Sequence, residues 1–479
     1  MENNITTEIP NEPIKKSISW QKITIITAAA LLVAGLGTAV TLELINHNNK
    51  QDQNTTATVS EIVEASNEQE QSAEDYFANA AQYTLELKDG ENKITAAGVY
   101  TVTGSTDNGY IHINTGDNKV KLILSNTSIK NPSGPAIYVE SNGNVHIETV
   151  GTNTLDAVPT EDLDAAIYSK ADLIFKGDGT LNITSTIDGI GGKDDVKIKS
   201  GTINVTASED GIKGKDSLTI QGGDITVSAG DDGLKASNDE DQTKGILTIS
   251  GGNIVVAKSK EGIEAAQINI GGGNIDVTAS DDGVNAAADF CSQMAMSPTG
   301  NSNITVCKVN IAGGTLKVNA GGDGLDSNGS IYLSGGTVYV DGPSNSGNAA
   351  LDYDGAFEIT GGSIIATGMS GMAINASSAT QGSALINLRQ TYSAGSTVTI
   401  GDVSFTPSKS FNSIMVSSAG FEKGQSYELK INNQTVQTVE FTDYLVGSGS
   451  QAGPGGQGGQ PGTQQSGQTP QQGTRNRQM

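Results

Sequence analysis

Acidic residues followed directly by glycine recur at Asp188, Asp210, Asp232, Glu261, Asp282 and Asp323, with successive spacings of 22, 22, 29, 21 and 41 residues. Second carboxylates precede some of these steps: Glu209, Asp231 and Asp281. If the recurrence is structural, stacking in register puts these carboxylates in a column whose rungs are about 4.8 Å apart. Unit charges about 4 Å apart repel by about 1 kcal/mol in bulk water and about 4 kcal/mol near a protein surface. Such a column needs cations or raised pKa values. Ca2+ suits it, because it takes about six to eight oxygens in flexible geometry, backbone carbonyls of glycine-rich turns included. The candidate ligands are Asp188, Asp210, Asp231, Asp232, Glu261, Asp281, Asp282 and Asp323. The competing reading is an ordinary tight turn, in which Asp bonds local backbone and Gly takes a positive φ.

Other residue patterns bear on chemistry. Three positions after the acidic step stand Lys213 and Lys235, followed in the same place by Glu264, Asn285 and Asp326. Two stacked lysines beside bound calcium could hold sugar carboxylates, or serve as general bases where a metal acidifies the α-proton of a uronate. Salt bridging to neighbouring acids is the plain alternative. The insertion SNDEDQTKG (237–245) offers Asp239, Asp241 and Thr243 at alternating positions, as calcium loops do, without EF-hand spacing. His47, His112 and His146 are isolated in the sequence, so neither a zinc site nor a catalytic triad is indicated. Trp20 is the single tryptophan, which leaves sugar stacking to tyrosines such as Tyr332 and Tyr339.

The elements that must position these residues follow from the repeat. GTLNITSTIDGI from Gly179, GTINVTASEDGI from Gly201 and GGDITVSAGDDGL from Gly222 align with GGNIVVAKSKEGI from Gly251, GGNIDVTASDDGV from Gly272 and GGTLKVNAGGDGL from Gly313. Each unit holds short alternating runs broken by Gly, Asn or Asp, with no long helical pattern. With 61 glycines and 8 phenylalanines in 479 residues, the core must be thin, which suits a solenoid whose units touch only their neighbours. The expected fold is all-β: a right-handed parallel β-helix of about 22-residue coils. It runs over 83–382 and is followed at 383–446 by a small antiparallel β module covering the open end.

The flanks have their own signatures. Lys15, Lys16 and Lys22 precede an uncharged run from Ile23 to Leu42, long enough to cross a bilayer. The positive-inside rule makes 1–22 a cytoplasmic tail, 23–45 a single transmembrane helix, and the remainder extracellular. Secretion after signal cleavage is the alternative. Residues 46–82 read as a polar linker, and 447–479 as a disordered Gly/Gln/Pro tail. Cys291 and Cys307, the only cysteines, fall on the oxidising side, where a disulfide is expected. A net charge of −25 excludes nucleic acid as a partner and makes a direct grip on acidic polysaccharide depend on bound cations.

The repeat, above all GGDITVSAGDDGLKA, GGNIDVTASDDGVNA and GGTLKVNAGGDGLDS, resembles a bacterial family of secreted, calcium-binding β-helix carbohydrate-binding proteins. The family is lyase-like in fold, and binds cellulose and polygalacturonate. The resemblance covers about residues 83–446. It implies calcium ligation at Asp188, Asp210, Asp231, Asp232, Asp281, Asp282 and Asp323, while Glu261 and Lys260 depart from the pattern. The function expected is calcium-dependent binding of an acidic or cellulosic polysaccharide at the cell surface, without catalysis. The alternatives are a pectate-lyase-type enzyme with Lys213 or Lys235 as base, and an adhesive stalk with a protein partner.

Overall fold

The structure, a computed structural model, describes residues 76–141, 143–291 and 306–447. The expected cytoplasmic tail, membrane helix and most of the linker and C-terminal tail lie outside the described residues. Among the described residues no helix is long and apolar enough to cross a membrane.

Strands dominate, and helix is confined to short turns at 76–78 and 289–291. A typical coil contributes three strands: Asp188–Gly192, Asp195–Ile198 and Thr202–Ala207. Each pairs in parallel with its counterpart on the next coil, as in Ile190↔Ile212, Val196↔Leu218 and Ile203↔Ile225. One strand per coil builds a separate ten-stranded sheet running from Gly90–Ile94 to Leu325–Ser327. The other two belong to a 25-stranded sheet, in which the long strands Lys308–Ala320 and Ser330–Asp341 turn from one face to the next.

This stacking follows from small, alternating residues. Ile190, Ile212, Leu234, Ile263, Val284 and Leu325 form one fully buried inner row. Val205, Val227, Val256, Val277, Val318 and Val340 form another. The two glycines of the repeat serve different ends. The glycine just before each strand of the third face is left-handed, with φ of 102° at Gly201 and 97° at Gly223. The glycine after each acid is not left-handed, contrary to the tight-turn reading. A Cβ on Gly233 would sit 2.5 Å from Val256 Cγ1 and 2.6 Å from the Gly262 carbonyl oxygen. It is needed because the inner valine of the following coil lies against its backbone.

Beyond the last coil, Phe411–Ser418 pairs antiparallel with both Ser363–Gly368 and Gly382–Tyr392. A four-stranded antiparallel sheet follows, packed around Phe411, Phe421 and Phe441. Lys409 fastens this module to the solenoid: its ammonium donates to the carbonyls of Ala320, Asp341 (2.9 Å) and Gly342 (3.1 Å). Tyr339 packs on Phe405 of the module, ring centres 5.5 Å apart. That contact occupies one of the tyrosines expected to stack sugar. Cys291 and Cys307 are joined in a disulfide with a Cα separation of 6.1 Å.

Gly233→Ala is expected to lower the unfolding free energy by about 2 kcal/mol, the range for overpacking a filled interior. Gly347→Ala, at an exposed position whose nearest neighbour is 3.4 Å away, should stay within about 0.5 kcal/mol of the parent. Denaturant titration of the two variants measures the difference.

Candidate functional site

The acidic column lies at the edge of the ten-stranded sheet, where each carboxyl leads into the buried row described above. Along part of it the carboxylates act as backbone acceptors between coils. Asp188 Oδ1 accepts the Asp210 amide (2.9 Å) and Asp210 Oδ1 accepts the Asp232 amide (3.1 Å). Further on, Asp282 Oδ1 accepts the Asp323 amide (2.6 Å), and Asp323 accepts the Ala349 amide. The chain of bonds breaks between Asp232 and Glu261. Asp232 is 1% exposed, and its Oδ1 is buried with no hydrogen-bond partner.

Lysines neutralise the first half of the column. Lys213 Nζ lies 2.5 Å from Asp188 Oδ2 and 2.9 Å from Asp210 Oδ2. Lys235 pairs with Asp232 Oδ2 and reaches Glu264 Oε1 at 3.5 Å. Burial alone would push both ammonium groups down. The carboxylates of Asp210 and Asp188 around Lys213, and of Asp232 and Asp210 around Lys235, outweigh it and raise them well above the ordinary lysine value. Neither amine is therefore poised to act as a free base at neutral pH. In this structure each ammonium is paired with the carboxylates around it.

One outward row of the ten-stranded sheet continues from these lysines in register: Lys213↔Lys235, Lys235↔Glu264, Glu264↔Asn285 and Asn285↔Asp326. From Glu264 onward it carries no cationic group. Burial, then Asp232, pushes the Glu264 carboxyl up to about 9. Burial, then Asp282 and Asp323, pushes Asp326 up to about 8. Asp188 and Asp282 each rise to about 6, again chiefly through burial.

Carboxylate oxygens converge within 4.8 Å at Asp210–Asp231–Asp232 and at Asp232–Glu261–Glu264. In the first set Asp210 has both oxygens engaged, and Asp231 lies 3.7 Å from Lys260. In the second set Lys235 serves Asp232 Oδ2 and lies 3.5 Å from Glu264 Oε1, and Lys260 lies 3.6 Å from Glu261 Oε1. Asn285 Nδ2 donates to Glu261 Oε2 at 2.7 Å, which leaves Asn285 Oδ1 buried and without a partner, like Asp232 Oδ1. Converging carboxyl groups beside buried, unpartnered oxygens are what a hard cation satisfies. This set falls on the rung where Glu261 departs from the repeat.

The remaining expected ligands are placed differently. Asp188 is held by Lys213, and Asp281, Asp282 and Asp323 belong to no three-carboxylate cluster among the described residues. In the 237–245 insertion, Asp241 Oδ1 accepts from the Thr243 amide (2.9 Å) and hydroxyl (2.7 Å), closing a local turn. Asp239, Asp241 and Thr243 do not converge with further ligands. A cluster that the acidic-Gly repeat does not contain, Asp172–Asp194–Asp195, lies on another corner of the coil. Its trace in the sequence is a Lys-x-Asp step at 170–172 and again at 193–195.

A family model for carbohydrate-binding domain-containing proteins matches residues 88–347, more than half of the 479. The chain belongs to that family. The match spans nearly all the parallel coils, including the acidic column and the lysine row. Among solved structures, a gadolinium derivative of the polysaccharide lyase-like protein from C. thermocellum is similar at 30% identity. It covers 52% of this chain and 88% of its own, with a TM-score of 0.40. No curated protein matches.

The raised carboxyls set the pH dependence of the metal-free carbohydrate-binding domain. Their folded-state pKa values exceed the unfolded ones, so between about pH 4 and 9 the folded state holds more protons than the unfolded state. Stability is then greatest near the unfolded values and declines as pH rises through the folded ones. In chelator the melting temperature is expected to fall between pH 5 and pH 9, with a shallower fall in Glu264→Gln. A flat profile in the parent would contradict the assignment.

Proposed function

We propose that the protein is a calcium-dependent binder of acidic polysaccharide, displayed outside the cell on a membrane anchor formed by residues 23–45. The observation that carries the reading is the cluster Asp232–Glu261–Glu264 with the unpartnered Asp232 Oδ1 and Asn285 Oδ1 beside it. Membership of the carbohydrate-binding family supports a glycan as the partner. In a chain of net charge −25, a bound divalent ion supplies the local positive charge that a uronate carboxylate requires. Glu264 and Asp232 would hold the ion, Glu261 would complete the set, and Lys235 would remain as counter-charge beside the approaching anion.

Lyase chemistry is the weaker reading. Proton abstraction needs an amine in its neutral form, and the ion pairs of Lys213 and Lys235 oppose that form.

Calorimetric titration with polygalacturonate, with and without Ca2+, tests the proposal while absorbance follows unsaturated uronate. The expected result is heat only with calcium present and no rise in absorbance. Rising absorbance would make the protein a lyase, and absence of heat would remove the glycan. Glu264→Gln is expected to weaken calcium binding about tenfold or more. Calcium uptake at pH 7 should release protons in the parent, because the ion replaces the proton on Glu264. Heats in buffers of different ionisation enthalpy measure this release.

A further inference from the structure

The row of the ten-stranded sheet that carries Lys213, Lys235 and Glu264 does not begin at the lysines. Towards the N-terminus the same register runs Lys213↔Gly191, Gly191↔Tyr168, Tyr168↔Tyr138 and Tyr138↔His112. The acidic and cationic column is thus the continuation of an aromatic one. His112 is clamped between Glu91 Oε1 (2.5 Å from Nδ1) and Glu140 Oε2 (3.0 Å from Nε2), and stacks on Tyr138 at 4.9 Å with planes 9° apart. Tyr168 follows at 5.9 Å from Tyr138. Lys193 lies over the Tyr168 ring while paired with Asp164 at 2.8 Å.

Packing accounts for the buried members, His112 and Tyr168, but not for the polar atoms of the row and of Tyr110, which flanks it two positions before His112. The phenol oxygens of Tyr110, Tyr138 and Tyr168 have no hydrogen-bond partner among the described residues, whereas Tyr100, Tyr353 and Tyr427 each donate to a backbone carbonyl. Lys170 is exposed, lies 5.9 Å from the Tyr138 ring centre, and pairs with no carboxylate among the described residues. Lys170 thus offers an ammonium beside the tyrosine row, as Lys119 does over Tyr76. Between Tyr168 and Lys213, Gly191 leaves the row without a side chain; a Cβ there would meet Ala165 Cβ at 2.8 Å. The aromatic and ionic stretches are therefore joined by a bare strip of backbone.

We infer that Tyr110, Tyr138, Tyr168 and Lys170 form a second, metal-independent set of subsites for the same acidic glycan, which lies along the solenoid axis and crosses the Gly191 gap. The inference rests on the glycan reading proposed above. Phenol hydroxyls exchange hydrogen bonds with sugar hydroxyls, and Lys170 meets a uronate carboxylate. From Tyr138 to Glu264 the row makes five coil steps, about 24 Å at about 4.8 Å each. Short oligomers reach one set of subsites, and longer ones reach both, so the second contact is intramolecular.

The test titrates the full-length, calcium-loaded protein with galacturonate oligomers of increasing length. In the parent, affinity is expected to climb until the oligomer spans about 24 Å. In Lys170→Glu it should level off early, with affinity for the polymer reduced about tenfold, and in Tyr138→Phe about threefold. Calcium affinity should stay unchanged in both. Lys170→Glu alters an exposed side chain, and an unchanged melting temperature in both variants shows that folding is intact. Variants that bind the polymer like the parent would overturn the tyrosine row alone. A parent that ignores the polymer with calcium present would overturn the glycan reading beneath it as well.

Discussion

A single steric constraint sets the register of the coils: the glycine after each acidic residue has no room for a side chain. At Gly189 a Cβ would lie 2.3 Å from Val205 Cγ1, and at Gly283 it would lie 2.1 Å from Val318 Cγ1. The inner valine of one coil occupies the space that the previous coil's glycine leaves open. Because strand pairing and this contact both repeat every coil, the preceding carboxyl cannot avoid its neighbour above and below. Stacked like charges are thus a consequence of how the core closes. Everything distinctive about the site is a way of bearing that consequence.

The column bears it in different ways along its length. Between Asp188 and Asp232, lysine ammonium groups sit among the carboxylates, and backbone amides of the next coil take one oxygen from each of Asp188 and Asp210. Around Asp282 and Asp323 the amides alone do so. At Glu261 the longer side chain replaces aspartate, the amide bond from the next acidic step is lost, and Asp232 Oδ1 is left buried without a donor. A buried acceptor of this kind costs about 1–3 kcal/mol when nothing satisfies it. Burial and Asp232 push the neighbouring Glu264 carboxyl up to about 9. In the calcium reading proposed above, a proton and a cation compete for one electrostatic niche.

Much of this was legible in the residues themselves. The acidic-Gly spacing gives the coil, and the alternating Ile, Leu and Val positions give the inner rows. The spacing does not reveal what each side chain touches. Lys213 and Lys235 have the same separation from the acidic step whether they are ligand-binding, basic or merely ion-paired. The ion pairs with Asp188, Asp210 and Asp232 are visible only in the fold. The glycine of Asp-Gly reads as a turn residue because left-handed glycine is the common case, yet its φ here is ordinary and its purpose is close approach. Glu261 reads as a lapse in the repeat. A lapse that removes a donor, however, creates an unsatisfied acceptor, and that is visible only in three dimensions. His112 looked isolated because Glu91 and Glu140 lie on neighbouring coils, far from it in sequence.

The row of the ten-stranded sheet has a direction. Read from the N-terminal coils it passes from aromatic residues through bare backbone at Gly191 to paired lysines, and then to Glu264, Asn285 and Asp326, which bring no cation of their own. A solenoid of identical coils would present a uniform surface, on which a chain-like ligand could slide from one register to the next at no cost. Here each successive coil offers different chemistry at the same height. A linear glycan laid along the axis as proposed would meet hydroxyl-bearing rings at one end and the proposed cation site at the other, so translation by one coil would exchange favourable contacts for unfavourable ones. Departure from perfect repetition gives an extended surface a preferred register, and Glu261 and Gly191, where the repeat is broken, mark the points from which that register is measured.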